Sequence, residues 1–235
     1  MREPIGQRPS GVLLERLKKT QEFLAKKVIL EDRFNRPVKF VAGLDAGFRP
    51  DGVAIAACVL LSFPELEVLE RALAEAEPKL PYIPGLLAFR EVPVMLKALR
   101  SLRKRPDIVL VDAQGIAHPR RCGEATHLGL VANVPTIGVA KRRLCGQALF
   151  RPVKPDSWAP LYDRGELVGF VYLSKARCRP IYISPGHMVS FSSALELVRA
   201  CLRGHKLPEP TRLAHAVAKA YIFKSSIGYR DAGGR

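Results

Sequence analysis

Apolar positions repeat at helical spacing near the start of the chain and at strand spacing directly afterwards. The first pattern predicts a helix that Ser10 caps and that ends near residue 30. Three runs typical of β-strands follow at residues 38–45, 53–63 and 66–73. Short turns that contain proline separate these runs, which predicts three adjacent antiparallel strands.

Helices and strands alternate in the rest of the chain. We expect a helix over residues 86–103, which Pro93 should split or kink early. Short, continuously apolar runs at residues 107–112 and 135–139 predict strands buried on both faces, with a helix between them at 124–131. The remaining prediction is strands at 167–173 and 181–184, helices at 192–203 and 211–223, and a frayed tail from about 224.

Neither an internal repeat nor a linker divides the sequence. The order is three strands, helix, strand, helix, strand and then a mixed remainder. We therefore predict a single α/β domain over residues 1–235, built around a mixed sheet that helices flank.

The charge of the chain is strongly unbalanced and narrows the choice of partner. The 235 residues include 38 Lys and Arg against 22 Asp and Glu, a formal net charge of +16, while 48% of residues are apolar. A sizeable core is therefore expected, and the basic surface indicates a polyanionic partner, nucleic acid before membrane. The longest uncharged run is too short and too interrupted to span a bilayer, and no signal peptide is recognisable, so we expect a cytoplasmic protein without an obligate protein partner.

The five cysteines indicate neither a zinc site nor a disulfide framework. No two of them form a C-x-x-C pair, which a structural zinc site commonly uses, and their number is odd. We expect most of them to be reduced core or surface residues.

Three acids lie among apolar segments and suggest a metal centre. Asp45 lies in the first strand run, Glu91 early in a predicted helix, and Asp112 at the end of a buried strand. Separately, each has a structural explanation, namely a turn, a helix N-terminus or a strand end. Together they can converge on Mg²⁺, for which Mn²⁺ could substitute, because hard cations prefer carboxylate oxygens. Such a site can cleave a phosphodiester.

Four cationic or titratable residues follow the acids. His118 could return to the acids as a proton donor or orient a water, although an exposed loop histidine is the alternative. Arg120 and Arg121 suit phosphate contacts. Lys141 ends the next buried strand, where its charge could hold the scissile phosphate or simply belong to a solvated basic cluster.

An aromatic residue lies in a stiff loop ahead of the second helix. Tyr82 is flanked by Pro81 on one side and by Ile83 and Pro84 on the other. A rigid apolar tip of this kind on a basic protein can wedge into a base stack, and a packed loop aromatic is the structural alternative.

Two further segments are weaker candidates. Gly186 and His187 precede a predicted helix, so backbone N–H groups there could bind a phosphate. His215 lies in the last predicted helix, where a structural role is the more common one.

Several of these motifs closely resemble the endonuclease V family, in the family's order from about residue 10 to residue 220. The matching strings are LDAGF (44–48), PYIPG (81–85), FRE (89–91), VD (111–112), GIAHPRR (115–121), GVAK (138–141) and LPEPTR (207–212). The resemblance implies a ribonuclease H-like fold and Mg²⁺-dependent cleavage of one strand at the second phosphodiester bond 3′ to inosine, leaving 3′-hydroxyl and 5′-phosphate ends.

The resemblance also implies roles for individual residues. Asp45 and Asp112 would be direct metal ligands, and Glu91 would complete the acidic centre directly or through water. His118 and Lys141 match the remaining active-site positions of the family. Tyr82 would occupy the space left when the altered base turns out of the stack.

The chain departs from the family at three places. Ala113 replaces a common glycine, a conservative change beside Asp112. His215 lies where many relatives have aspartate, which makes it a distant neighbour of the metal site. The basic tail beyond Tyr221 matches no shared motif.

Three other functions are compatible with parts of this pattern. An inosine-specific endoribonuclease would differ only in the sugar it accepts, which the sequence does not reveal. A non-catalytic nucleic-acid-binding module explains the net charge but not the three acids. A small-molecule phosphatase could use the same acids but would not need the loop of Tyr82.

Overall fold

One mixed sheet forms the centre of the molecule in the computed structural model, which describes residues 9–232. Its nine strands are β1 (Phe40–Phe48), β2 (Ala54–Ser62), β3 (Val68–Ala76), β4 (Ile108–Val111), β5 (Thr136–Ala140), β6 (Gln147–Ala148), β7 (Ser157–Asp163), β8 (Glu166–Leu173) and β9 (Ile181–His187). The helices are α1 (Gly11–Ala25), α2 (Ala88–Arg100), α3 (Glu124–Ala132), α4 (Phe191–Ala200) and α5 (Glu209–Ala232).

The strands are ordered β3-β2-β1-β4-β5-β9-β8-β7-β6 across the sheet. β1, β2 and β3 are antiparallel neighbours, as the turns between them predict. β1, β4 and β5 are parallel, so their carboxyl ends meet at one edge, while β9, β8, β7 and β6 continue in antiparallel order. The predicted mixed sheet is confirmed.

Helices cover both faces of this sheet. The sequence of β4 is continuously apolar because Ile108 and Leu110 face one core whereas Val109 and Val111 face the other. The first core includes residues of α4 and α5, and the second includes residues of α2 and α3. The central strands are therefore buried on both faces, as predicted.

Five elements differ from the sequence prediction. Helix α2 continues through Pro93, because its buried side chains, among them Val92 and Met95, pack against the sheet and offset the missing hydrogen bond. Helix α1 ends at Ala25 and not near residue 30. Helix α5 extends to Ala232, past the expected start of fraying at 224, and residues 233–235 lie outside the described residues. Strands β6 and β7 were not predicted.

Two expectations about composition can be compared with the structure. The five cysteines are free, and Cys58, Cys122 and Cys201 are buried. Within residues 9–232, no helix is both long enough and apolar enough to cross a membrane.

Candidate active site

The carboxyl ends of the parallel strands bring two acids and a lysine together. Register pairs Leu44 of β1 with Val111 of β4, so Asp45 and Asp112 follow two paired residues. Lys141 follows β5, the next strand, and its Nζ forms an ion pair with Asp112 Oδ2. Ligands collect at this edge in α/β sheets, and the candidate site lies there.

Helix α5 adds a histidine to the two acids. His215 Nδ1 lies 2.7 Å from Asp45 Oδ2. One ligand atom each of Asp45, Asp112 and His215 lies within 4.8 Å of the others. His215 is therefore in direct contact with the acidic centre, closer than the distant neighbour that the sequence predicts.

Close packing of the helix against the sheet makes this contact possible. A Cβ atom on Gly43 would lie 1.9 Å from the carbonyl oxygen of Pro210, in the first turn of α5. Only glycine lets the start of α5 approach β1 so closely. This approach positions His215 over Asp45.

Burial makes ionisation of Asp45 costly. Desolvation, followed by the negative charge of Asp112, raises the pKa of Asp45 to about 6, and the hydrogen bond with His215 opposes the increase. A divalent cation would compensate this cost, because it supplies positive charge where two carboxylates meet. The set of two carboxylates and an imidazole thus fits a divalent cation.

Glu91 is paired with an acid that the sequence analysis missed. Burial raises the pKa of Glu91 to about 7, whereas a hydrogen bond from Glu124 opposes the increase. Burial and the neighbouring Glu91 hold the pKa of Glu124 well above its usual range. Glu91 is not part of the group of ligand atoms formed by Asp45, Asp112 and His215. The carboxylates of Asp45 and Asp112 nevertheless lie near enough to raise the pKa of Glu91.

Glu124 is the first residue of α3, and a helix N-terminus stabilises an acid. The Oε1 atom of Glu124 is buried and has no hydrogen-bond partner among the described residues. It also lines the active-site cavity. As the sole acid of α3, beside the polar Thr126 and His127, it gave too weak a signal in the sequence to be singled out.

His118 holds two loops together. Its Nδ1 accepts a hydrogen bond from the Arg120 backbone N–H at 3.2 Å, which leaves Nε2 to donate to the Gly85 carbonyl at 3.1 Å. Burial, helped by the charge of Arg120, lowers the pKa of His118 to about 4. The neutral ring has both nitrogens engaged in contacts between loops, which argues against the expected proton donor.

The two arginines after His118 do not present free guanidinium groups. Arg120 donates to the Gly85 carbonyl at 2.6 Å and to Gln21 Oε1 at 2.6 Å. Arg121 forms ion pairs with Asp163 at 2.7 Å and with Glu166 at 2.9 Å. Both guanidinium groups are therefore engaged in contacts that fix the surrounding loops, which argues against the phosphate contacts expected of them.

Tyr82 lies exposed at the cavity that the acids line. Its side chain is 58% exposed, and it lines the same cavity as the acids. Pro81, Ile83 and Pro84 flank it in the loop that Gly85 ends. The hydrogen bonds of His118 and Arg120 to Gly85 anchor the base of this loop.

Gly186 and His187 lie elsewhere. Both belong to the buried end of β9, not to a loop before a helix, and neither lines the cavity. His187 Nδ1 accepts a hydrogen bond from the Ile29 backbone N–H. Both residues are buried and lie away from the cavity, which argues against the phosphate contact expected of them.

One cavity of about 590 Å³ unites the site. Asp45, Asp112 and His215 lie on its wall with Lys141, while Tyr82 and Leu144 contribute exposed apolar surface. Arg142 and Arg143 also line it. The same cavity thus presents carboxylates that can hold a metal ion and basic side chains that can attract a phosphate.

Comparison with known proteins identifies relatives of the chain. The family model described as endonuclease V matches residues 22–216. Endonuclease V from Streptomyces avermitilis shares 33% identity, with 96% of this chain and 98% of that chain covered, at a TM-score of 0.85. The catalytic domain of human endonuclease V also shares 33% identity, over 92% and 98% of the two chains, at a TM-score of 0.85.

A third relative was solved with nucleic acid. The structure of Ciona intestinalis endonuclease V contains a 23mer DNA with an inosine followed by a ribo-adenosine. It shares 26% identity and covers 92% of this chain and 99% of its own, with a TM-score of 0.80.

The mixed sheet, the flanking helices and these structural matches define a ribonuclease H-like α/β protein, and the predicted fold class is confirmed. Within that class the chain belongs to the endonuclease V family, a family of nucleases.

Proposed function

We propose that the protein is a Mg²⁺-dependent DNA repair endonuclease. It nicks one strand at the second phosphodiester bond 3′ to deoxyinosine and leaves 3′-hydroxyl and 5′-phosphate ends. The observation that carries this proposal is the single cavity that holds Asp45, Asp112 and Lys141 together with Tyr82. Membership of the endonuclease V family supports it.

The acids have the role of holding the cation. Asp45 and Asp112 are the proposed carboxylate ligands, His215 contributes its imidazole, and Glu91 supports the centre from its pair with Glu124. When bound, the cation would activate water and stabilise the leaving oxygen. Mg²⁺ is the proposed ion because the two carboxylates are hard ligands, and Mn²⁺ can replace it because imidazole suits transition metals.

The remaining residues bind and orient the strand. Lys141, which pairs with Asp112, is positioned to hold the scissile phosphate. Tyr82 supports the distorted base stack, and His118 keeps the loop of Tyr82 against the site through Gly85. The altered base turns into the cavity, which is lined near this loop by Leu87 and Gly123.

A second candidate is cleavage of inosine-containing RNA. The observation that favours it is the ribo-adenosine that follows inosine in the DNA bound to the Ciona intestinalis relative. The same cavity would serve both substrates, and the 2′-hydroxyl would distinguish them. In either case we propose that the protein acts in the cytoplasm and needs no obligate protein partner.

The test uses end-labelled strands with one inosine, in DNA or RNA, and matched adenosine controls. With Mg²⁺, we expect one cut at the second bond 3′ to inosine, in the DNA strand for the first candidate and in the RNA strand for the second. Asp45→Asn should lower the rate at least about a hundredfold and retain binding. Asp51→Asn is the matched control, because Asp51 pairs with Arg49 on the surface, and it should cut normally.

Other outcomes would replace the proposal. Binding without a cut in Mg²⁺ or Mn²⁺ would favour the non-catalytic binding module. Turnover of free nucleotides without cleavage of strands would favour a phosphatase.

A further inference from the structure

A second groove lies beside the active-site cavity and has no part in the proposed reaction. It encloses about 530 Å³ between the segment around β6 and the strands β8 and β9. Its wall includes two aromatic residues, Phe150 and Tyr182, and two arginines, Arg143 and Arg151. We call these four residues and the space between them the flanking groove.

The flanking groove is continuous with the active-site cavity. Arg143 lines both spaces. In addition, Tyr182 of β9 pairs in register with Ala140 of β5, and Ala140 lines the active-site cavity. Paired strands lie about 4.8 Å apart, so the flanking groove lies directly beside the active-site cavity.

One of the two aromatic residues of the groove, Phe150, is exposed, whereas Tyr182 is half-buried. Phe150 is 58% exposed, and its neighbours Leu149 and Val153 are 69% and 78% exposed. A cluster of exposed apolar side chains in one short segment marks a binding surface and not a random scatter. The segment is therefore a candidate surface for a partner.

The charge of the groove indicates what that partner is. Arg143 and Arg151 make no side-chain hydrogen bond or ion pair with any residue in the described part of the chain. None of the described residues that line the groove is acidic. Free cations beside an exposed aromatic ring fit a polyanion with flat apolar groups, which is the chemistry of unpaired nucleotides.

We propose that the flanking groove binds an unpaired stretch of the same nucleic acid strand that the active site holds. Phe150 and Tyr182 stack on its bases, and Arg143 and Arg151 contact its phosphates. The inference rests on the proposed function only in taking the strand to pass through the active-site cavity. It adds that an unpaired stretch beside the cleavage position strengthens binding, because bases within a duplex are stacked on their neighbours and have no free faces.

The test measures binding without cleavage. Fluorescence polarisation in EDTA would compare unpaired oligonucleotides, with and without inosine, for the unmutated protein and the double variant Phe150→Ala, Arg151→Gln. We expect affinity about tenfold weaker in this variant, because one stacking contact and one phosphate contact are lost. Phe223→Ala, Lys224→Gln is the matched control, since it removes another exposed aromatic residue and its neighbouring cation, and it should bind normally.

Substrate length provides the second arm of the test. Inosine strands shortened on the 5′ side, on the 3′ side or on neither side would be compared. The difference in affinity between the unmutated protein and the groove variant should disappear when the strand is shortened on one of the two sides. Annealing that same side of the strand into a duplex should also abolish the difference. With full-length strands in Mg²⁺, KM should rise by a similar factor at unchanged kcat.

Two results would overturn the proposal. One is equal affinity of the unmutated protein and the groove variant for every strand, which would leave the exposed segment to a protein partner. The other is an equal loss with shortened and full-length strands, which would mean that the substitution acts through the fold. Failure of the proposed function is recognised separately, as absence of cleavage by the unmutated protein, and leaves the binding measurements valid.

Discussion

His118 shows how two backbone contacts and burial fix the charge of a single residue. Its pKa of about 4 lies below the usual 6.5, chiefly because the ring is desolvated. The unfolded chain therefore takes up a proton before the folded protein does as the pH falls. The stability from the neutral ring is fully present above about pH 6.5 and is lost progressively toward pH 4.

We expect His118→Gln to weaken the pH dependence of stability. Between pH 7 and pH 4 the free energy of unfolding should decrease more for the unmutated protein than for the variant. The difference between the two decreases should be at most about 3 kcal/mol. Urea unfolding at several pH values measures this difference. His205→Gln, at an exposed position before α5, is the control for loss of an imidazole. Parallel curves for His118→Gln and the unmutated protein would contradict the prediction.

The sequence predicted those site residues whose position follows from a strand end. Asp112 and Lys141 follow short apolar runs whose parallel pairing brings them together, so their meeting could be anticipated. Glu124 could not, because its burial depends on the packing of α3 against the acidic centre. Arg121 also could not, because its partners Asp163 and Glu166 lie on distant strands.

At the scale of elements, the position of α5 determines whether His215 reaches the acids. The helix starts over β1 at Gly43, where the opposing atoms are backbone and have no rotamer by which to move away. Any side chain on Gly43 would lift the first turn of the helix. A residue without chemistry of its own thus controls the geometry of the site.

Gly43→Ala should therefore reduce both stability and the function of the site. We expect a loss of about 3 kcal/mol in the free energy of unfolding, the upper range for overpacking, measured by urea denaturation. Metal affinity should fall as well, because His215 moves away from Asp45. Gly11→Ala is the control, because a Cβ there meets nothing within 4 Å. Equal stability of both variants would show that α5 shifts without cost.

The strands that the sequence missed are those with weak local signals. β6 has only two residues, and β7 contains Pro160, a residue that weakens a strand pattern. Their pairing depends on β8, which lies beside them in the sheet. β4, by contrast, could be predicted closely, since burial on both faces leaves only apolar residues in its sequence.

At the scale of the whole molecule, net charge and phosphate binding are different quantities. The formal charge of +16 counts every cation, including those neutralised within the fold. Arg121 is held by two acids and is mostly buried, whereas Arg142 is exposed and lines the active-site cavity. Only the second kind of cation can displace counterions from a nucleic acid.

Salt dependence of binding separates these two kinds of arginine. The logarithm of affinity for a DNA strand falls linearly with the logarithm of salt concentration, by roughly 0.7 per phosphate contact for single strands. Arg142→Gln should make this slope shallower by about that amount. Arg121→Gln should leave the slope unchanged, although the lost ion pairs should lower the free energy of unfolding by about 1–3 kcal/mol. Titrations at four salt concentrations, below the melting temperature of either variant, measure both slopes. A shallower slope for Arg121→Gln would mean that Arg121 leaves its acids for a phosphate when the strand binds. Equal slopes for Arg142→Gln and the unmutated protein would mean that the strand does not pass over Arg142.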